Sequence, residues 1–381
     1  MMHSNHADGR EVAEIRRVLS KLNEEATPRT MPPAYYVSED FLALEQATLF
    51  TREWACVGHA GEIPESGDFF ATEIAGEPIL VVRDNDGQVA VLSNVCRHRG
   101  TLLVEGSGRS KRFVCPYHAW TYGLKGELIA APLMDKIAGF DKKACSLHRF
   151  RHELWNGFIY VNISGDAEPL APRLSALDKI IENYQLPSRN LVHVEEDIWA
   201  VNWKCLAENF MEGYHLTPTH AKTLHPITPT NLCRKMPNGE YFTGYFAGYN
   251  PNFPDRKPYP DTLTEQERRQ SPLFWIAPNH VVGLATNNCV YMCLRPNGVD
   301  HVAIRWGVLS TAKRADQVAK DYVDLCNAFN AEDKAKLELL QRGLKSRFLK
   351  RGFLAPDDLE GAIWDIYRFV ARRLGSDVTI V

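Results

Sequence analysis

The pattern of apolar and polar residues changes character along the chain, and each change marks a new group of elements. Residues 10–24 predict a helix, which the proline-rich TPRTMPPAYY (27–36) ends. Beyond about residue 40 the pattern shortens to strands. EPILVVRDNDGQVAVLSNVC predicts a hairpin in which Ile79–Val82 and Val89–Leu92 flank the turn Asp84-Asn85-Asp86-Gly87. TYGLKGELIA predicts a second, turning at Lys125-Gly126, and GFIYVNIS (157–164) a further strand. Together these make a small antiparallel β domain. The linker GDAEPLAPRL (165–174) opens a different regime: a strand at 191–200, Tyr- and Phe-rich segments at 241–254 and 271–280, and strands at 287–296 and 300–309. The chain then turns helical over 315–344 and 357–373, where Leu359, Ile363, Ile366 and Val370 have core-facing spacing.

Two clusters of chemistry-bearing residues interrupt this pattern. The first is NWKCLAENFMEGYHLTPTHAKTLHP (202–226). Read as a helix from Asn202, it places Glu208, Glu212 and His215 on one face. His220, five residues beyond His215, is rotated by roughly 140° and cannot share that face. Pro218 disfavours helix at Thr217, so the helix is expected to end there and a turn to swing His220 back. Two imidazoles at a helix end suit a divalent metal, and a carboxylate from elsewhere would complete a facial two-His-one-carboxylate site for non-haem iron.

The second cluster lies between the hairpins: Cys96-Arg97-His98, then Cys115-Pro116-Tyr117-His118. Each half is a tight loop offering one thiolate and one imidazole. Two Cys and two His suit tetrahedral zinc or a Rieske [2Fe–2S] cluster, in which the cysteines hold one iron and the histidines the other. Zinc fingers pair Cys with Cys and His with His, whereas each loop here mixes the two, which favours the Rieske arrangement.

Composition narrows the class without choosing the function. The 381 residues are 45% hydrophobic and 24% charged, long enough for two domains or one large one. A net charge of −3, from 44 basic and 47 acidic residues, gives no basic surface for nucleic acid. No apolar run approaches the ~18 residues of a spanning helix, and MMHSNHADGREVAEIRR lacks the pattern of a signal peptide. Nine cysteines without disulfide-framework spacing fit a reducing cytoplasm.

CRHRG, CPYHAWTY and, about a hundred residues on, NF-x-E-x-YH-x4-H resemble the catalytic α subunit of a Rieske non-haem iron oxygenase, in the family's order and spacing. The resemblance covers about residues 40–345. It implies an α+β chain: an N-terminal helical segment (1–40) packing on the catalytic domain, an antiparallel β Rieske [2Fe–2S] domain (41–165), and a helix-grip catalytic domain (166–381) with a curved antiparallel sheet over a long helix. By resemblance, Cys96, His98, Cys115 and His118 hold the cluster, and His215 and His220 hold mononuclear Fe(II). The third iron ligand is expected at Asp333 in FNAEDKAKLELLQRGL, with Glu332 as its competitor. Where the family has an aspartate three residues before the first iron histidine, this chain has Glu212, which by resemblance bridges to a Rieske histidine of the neighbouring subunit. Asn209 is expected as a polar neighbour of the iron.

The same resemblance implies O2 as co-substrate, a head-to-tail homotrimer and a small-molecule substrate. No dinucleotide fingerprint follows a strand, so electrons from NAD(P)H are expected through a separate reductase. Glu212 is shared with relatives that act on quaternary ammonium compounds, which favours oxidative N-demethylation of a betaine-like compound. Ring hydroxylation of an aromatic acid is the alternative. A Rieske-type electron carrier would need only the β domain, and here more than half the chain follows it. Tyr241, Phe242, Tyr245, Phe246, Tyr249, Phe274 and Trp275 are the pool from which two or three rings are expected to face the substrate, and nearby carboxylates are expected to favour a cation.

Overall fold

The computed structural model describes residues 5–255, 257–314 and 316–375. The chain forms two compact units, one of residues 50–168 and one of residues 1–49 with 169–381. Residues 41–49 therefore belong with the larger unit rather than with the β domain. Phe41, Leu42 and Leu44 are buried there, and Phe41 packs 5.3 Å from Tyr35, ring centre to ring centre.

The unit 50–168 consists of three small antiparallel sheets. Strands β1 (Ala55–His59), β10 (Phe158–Asn162) and β9 (Arg151–Trp155) form one. A second runs β4 (Val89–Ser93), β3 (Glu77–Arg83), β2 (Asp68–Ile74), β5 (Ser107–Arg109). The third runs β6 (Phe113–Val114), β7 (Thr121–Tyr122), β8 (Leu128–Ala130). Both expected hairpins form. The first pairs Ile79 with Ser93 and Val82 with Ala90. Its turn is set by Asp84, whose carboxylate accepts from the backbone N–H groups of Asp86 and Gln88, and by Gly87 at φ 74°. Side chains from the second and third sheets share one buried cluster with Cys96 and Cys115.

In the larger unit, α1 (Asn5–Ser20), α2 (Ala34–Val37) and α3 (Glu39–Glu45) precede α4 (Leu170–Ile181). A seven-stranded antiparallel sheet follows, in the order β11 (Asn190–Trp199), β17 (Val302–Ser310), β16 (Asn288–Pro296), β15 (His280–Leu284), β14 (Gln270–Ile276), β13 (Phe242–Gly248), β12 (Cys233–Lys235). Strand β15, short and wholly buried, has no polar alternation and was not singled out in the sequence. Helices α5 (Trp203–Phe210) and α6 (Leu216–Thr219) lie between β11 and β12, and α7 (Gln317–Leu344) and α8 (Asp357–Leu374) end the chain. Helix α5 packs on β14 and β16, the 28-residue α7 on β11 and β16, and α8 on β12, β13 and α1. Ile363, Ile366 and Val370 are buried, as their spacing predicts. This is the expected α+β helix-grip arrangement. No helix of the described residues is long and apolar enough to cross a membrane.

Candidate iron centres

The four Cys and His residues of the β unit sit on two loops with the same backbone. The Cys96 N–H donates to the Thr101 carbonyl and the Cys96 carbonyl accepts from Gly100; Cys115 does the same with Trp120 and Ala119. Gly100 and Ala119 occupy the left-handed region at φ 80° and 58°. Both thiols are buried, while His98 is exposed and His118 half-buried, with their Nδ1 atoms 3.2 Å apart. His98 stacks on Trp120 at 4.9 Å, and the Tyr122 hydroxyl lies 3.3 Å from Cys96 Sγ. Burial pushes the Cys115 thiol up, but the N–H groups of Tyr117 and His118 outweigh it and hold the thiol below its ordinary value. Convergent imidazole nitrogens opposite buried, hydrogen-bonded thiols fit a [2Fe–2S] cluster with two Cys and two His ligands.

The second cluster is built differently from its sequence expectation. Helix α5, capped by the Asn202 side chain on the Lys204 N–H (3.0 Å), stops at Phe210 rather than continuing to Thr217. Gly213 turns its N–H to the Leu359 carbonyl of α8 (3.0 Å). A Cβ there would meet Cys233 Sγ at 2.5 Å, so only glycine fits this close approach. The chain restarts as α6, with Pro218 in the first turn where a missing N–H costs nothing. His215 and His220 flank this one short turn, so the break that brings them together precedes His215. The Glu212 carboxylate accepts the His215 N–H (3.0 Å) and also bonds His215 Nδ1.

Helix α7 supplies the carboxylates. Asp333 Oδ1 lies 3.1 Å from His220 Nε2 and 3.6 Å from His215 Nε2, and the three ligand atoms fall within 4.8 Å of one another. Ligand bonds of ~2.1 Å at right angles would separate donor atoms by ~3 Å, close to what is seen. His220 Nε2 and Asp333 Oδ1 are buried with no hydrogen-bond partner among the described residues, as expected of atoms that would face a metal. Glu332 takes the other side of His220: its Oε2 lies 2.7 Å from Nδ1 and accepts from the Thr223 hydroxyl at 2.5 Å. Both imidazoles thus have Nδ1 held by a glutamate and Nε2 turned toward Asp333, an arrangement that fixes ring orientation around a metal. The structure separates the two carboxylates that were left in competition. The role of Glu332 was missed because adjacent helical residues point about 100° apart, and nothing in the sequence said which would face Nε2.

Above the triad opens a cavity. Asn209 lines it beside His215, His220 and Asp333. Of the seven aromatic residues in the expected pool, Tyr245 and Tyr249 line it. Trp275 instead packs on Phe369 of α8, and Tyr241 packs there too, beneath the Arg173 and Arg373 guanidiniums. Phe210, Phe253, Tyr322 and Phe329 also line it, brought in by α5, α7 and the loop after β13. Asp333 is the one acidic side chain among the lining residues described, and Arg268 is there as well, so the expected surround of carboxylates is not found. Glu208 points away: Tyr36 and Tyr367 donate to it at 2.9 and 3.2 Å, and burial pushes its pKa up to about 8.

A thiolate–imidazole loop pair and a His–His–carboxylate face in one chain are the marks of a two-centre iron oxygenase. Residues 53–141 match the Rieske [2Fe-2S] domain and residues 182–376 the ring hydroxylating alpha subunit catalytic domain; the chain belongs to this family of Rieske non-haem iron oxygenases. Over 84% of its length it is 28% identical to the carnitine monooxygenase oxygenase subunit of Acinetobacter baumannii, 86% of which is covered. Over 61% of its length it is 32% identical to the chlorobenzene dioxygenase alpha subunit of a Cupriavidus species, 56% of which is covered. A solved quaternary ammonium Rieske monooxygenase superposes with a TM-score of 0.82 at 24% identity, covering 93% of this chain and 98% of that one, which establishes the shared fold.

Proposed function

We propose that this oxygenase carries out oxidative N-demethylation of a betaine-like quaternary ammonium compound. Cys96, His98, Cys115 and His118 hold the [2Fe–2S] cluster, and His215, His220 and Asp333 hold mononuclear Fe(II). When bound, the cluster would supply single electrons and the mononuclear Fe(II) would supply the O2 chemistry that oxidises a substrate C–H bond. The chain's own groups do the rest. Glu212 and Glu332 keep both imidazoles oriented with Nε2 free, Asn209 lines the approach, and the aromatic wall excludes water and holds the substrate. Hydroxylation of an N-methyl carbon gives a carbinolamine, which expels formaldehyde. Electrons come from NAD(P)H through a separate reductase. Glu212 links each Fe(II) site to the Rieske histidine of the next subunit in a head-to-tail trimer. A reducing cytoplasm, which keeps Cys96 and Cys115 as thiols, suits this chemistry.

The observation that carries the reading is the extent of similarity. The relative matched along 84% of the chain is named a carnitine monooxygenase, whereas the likeness to the chlorobenzene dioxygenase stops at 61%. The cavity supports it: a trimethylammonium group has no N–H donors, and cation–π attraction to rings such as Phe210, Tyr245 and Phe329 is worth ~0.5–2 kcal/mol each. Ring hydroxylation stays as the second reading because the same apolar wall accepts an arene. The deciding test gives iron-loaded protein with a surrogate reductase a betaine, its uncharged isostere and simple aromatic acids. Formaldehyde from the betaine supports demethylation; coupled turnover of an aromatic acid, with no formaldehyde from any N-methyl compound, transfers the assignment to ring hydroxylation.

A further inference from the structure

The seven-stranded sheet forms one wall of the cavity above the triad, and the strand register gives that wall two ends. Tyr245 pairs with Leu273, Leu273 with Gly283 and Gly283 with Val290, and all four line the cavity. This row lies at the iron end. A Cβ on Gly283 would stand 3.6 Å from Phe210 Cζ at the end of α5, and one on Gly213, in the break before His215, would stand 3.5 Å from the Tyr245 ring. The next lining row pairs Ala247 with Ser271, and beyond it the Tyr249 N–H donates to the Arg269 carbonyl (2.8 Å). At ~3.3 Å per residue, Ser271 and Tyr249 stand ~7 and ~13 Å along the strands from the first row.

The far end gathers polar groups. The Tyr249 and Ser271 hydroxyls pair at 2.6 Å. The segment carrying Thr228 is laced to the same end: the Ile227 carbonyl accepts from the Asn250 N–H (2.7 Å), and the Asn250 carbonyl accepts from Arg269 Nη2 (2.6 Å). Thr228 lines the cavity at 7% exposure, and its hydroxyl has no hydrogen-bond partner among the described residues. Arg268 is the one lysine or arginine among the described lining residues. It also borders an outer hollow with Tyr259 and Asp261, so it stands between the cavity and the exterior. Its Nε donates to the Leu263 carbonyl (3.1 Å) and its guanidinium lies 5.5 Å from the centre of the Tyr259 ring, while Nη1 and Nη2 have no hydrogen-bond or carboxylate partner among the described residues. A guanidinium held through Nε alone keeps both NH2 groups for a ligand.

A carboxylate drawn into this cavity sheds its water and needs a charged donor in exchange. We propose that Arg268, with the Thr228 hydroxyl, forms a carboxylate anchor at the end of the cavity away from the triad. Arg268 is thus a positioning residue that selects substrates by charge and by length. A betaine whose carboxylate reaches the anchor presents its N-methyl groups to the iron end, and a shorter one engages only one end at a time. The anchor rests on this cavity being the substrate pocket, but not on which C–H bond is attacked, since an aromatic acid would use the same anchor.

The test is calorimetric binding to the full, iron-loaded chain under anaerobic conditions. The probes are trimethylammonium alkanoates of increasing chain length, each against the carboxamide of equal length, with benzoate against benzamide as a further pair. In the parent protein at least one carboxylate should bind ~10-fold or more tightly than its amide, as a charge-assisted hydrogen bond requires. Within the alkanoates that advantage should grow with length until the chain spans the two ends. Arg268→Gln should bring the ratio near one with the cluster absorption unchanged, and Arg268→Lys should restore part of it. If Arg268→Gln does not fold, Thr228→Val decides, weakening the carboxylates severalfold more than the amides. Equal affinity within every pair, no binding by any carboxylate, or the parent ratio kept in Arg268→Gln would overturn the proposal. So would the parent ratio kept in Thr228→Val where Arg268→Gln does not fold. A ratio lost in Arg268→Gln, with no formaldehyde from any betaine, supports the anchor and removes only N-demethylation.

Discussion

Exchanging Glu332 or Asp333 for alanine separates a group proposed to orient a ligand from one proposed to be a ligand. Among the described residues Glu332 hydrogen-bonds His220 Nδ1 and the Thr223 hydroxyl, whereas Asp333 Oδ1 faces both Nε2 atoms. Removing a carboxylate that orients a metal-bound imidazole weakens metal affinity about 10- to 100-fold, or ~1.4–2.7 kcal/mol. Removing Asp333 takes one of three ligands and leaves two imidazoles on one short turn, which should not retain Fe(II) through desalting. The assay is an anaerobic competition for Fe(II) against a chromogenic chelator, with the visible absorption of the [2Fe–2S] cluster as internal control. Glu332→Ala should bind stoichiometrically but 10- to 100-fold more weakly, and Asp333→Ala should bind no mononuclear iron, both with the cluster spectrum intact. The reverse order, or full iron in both variants, would refute the assignment of Asp333.

Three further outcomes follow from buried charge. Glu212→Gln keeps a hydrogen bond to His215 and should hold both metals, yet slow single-turnover electron transfer from cluster to iron; an unchanged rate would remove Glu212 from the coupling. Lys204→Ala leaves Glu45 buried without its partner, which should cost ~3–5 kcal/mol and lower the melting temperature by ~10 °C, whereas a melting temperature equal to the parent's would show that the pair is dispensable. Glu208, pushed up to about 8 from 4.5, holds its proton in the folded chain over a range where the unfolded chain has lost it. The carboxyl thus favours folding less and less as pH rises from about 4.5 to about 8. Glu208→Gln should remove that part of the decline, and parallel melting-temperature profiles for the two proteins between about pH 5 and 9 would contradict the shift.

What the sequence showed clearly were features fixed by short-range chemistry. The Asp84–Gly87 and Lys125-Gly126 turns, the two Cys/His loops and the helical face of Ile363, Ile366 and Val370 depend on residues near one another, and all were placed from pattern alone. The features it hid depend on partners far along the chain. Helix α5 stops before Glu212 because Gly213 bonds Leu359 and abuts Cys233, neither of which helical periodicity can register. Tyr241 and Trp275 went to the core because α8 brings Phe369 against them, while Tyr322 and Phe329 reach the cavity from a helix whose pattern reads only as amphipathic.

The most direct test of the account is a single turnover without any reductase. Protein loaded with both iron centres, chemically reduced and freed of reductant, is mixed with O2 and a betaine-like quaternary ammonium compound, then assayed for formaldehyde, the demethylated amine and cluster oxidation. The account requires formaldehyde and demethylated amine in equal amounts, up to about one per chain, with loss of the reduced-cluster EPR signal only when substrate is present. Cluster oxidation with no formaldehyde, alongside stoichiometric hydroxylation of an aromatic acid under the same conditions, would contradict it.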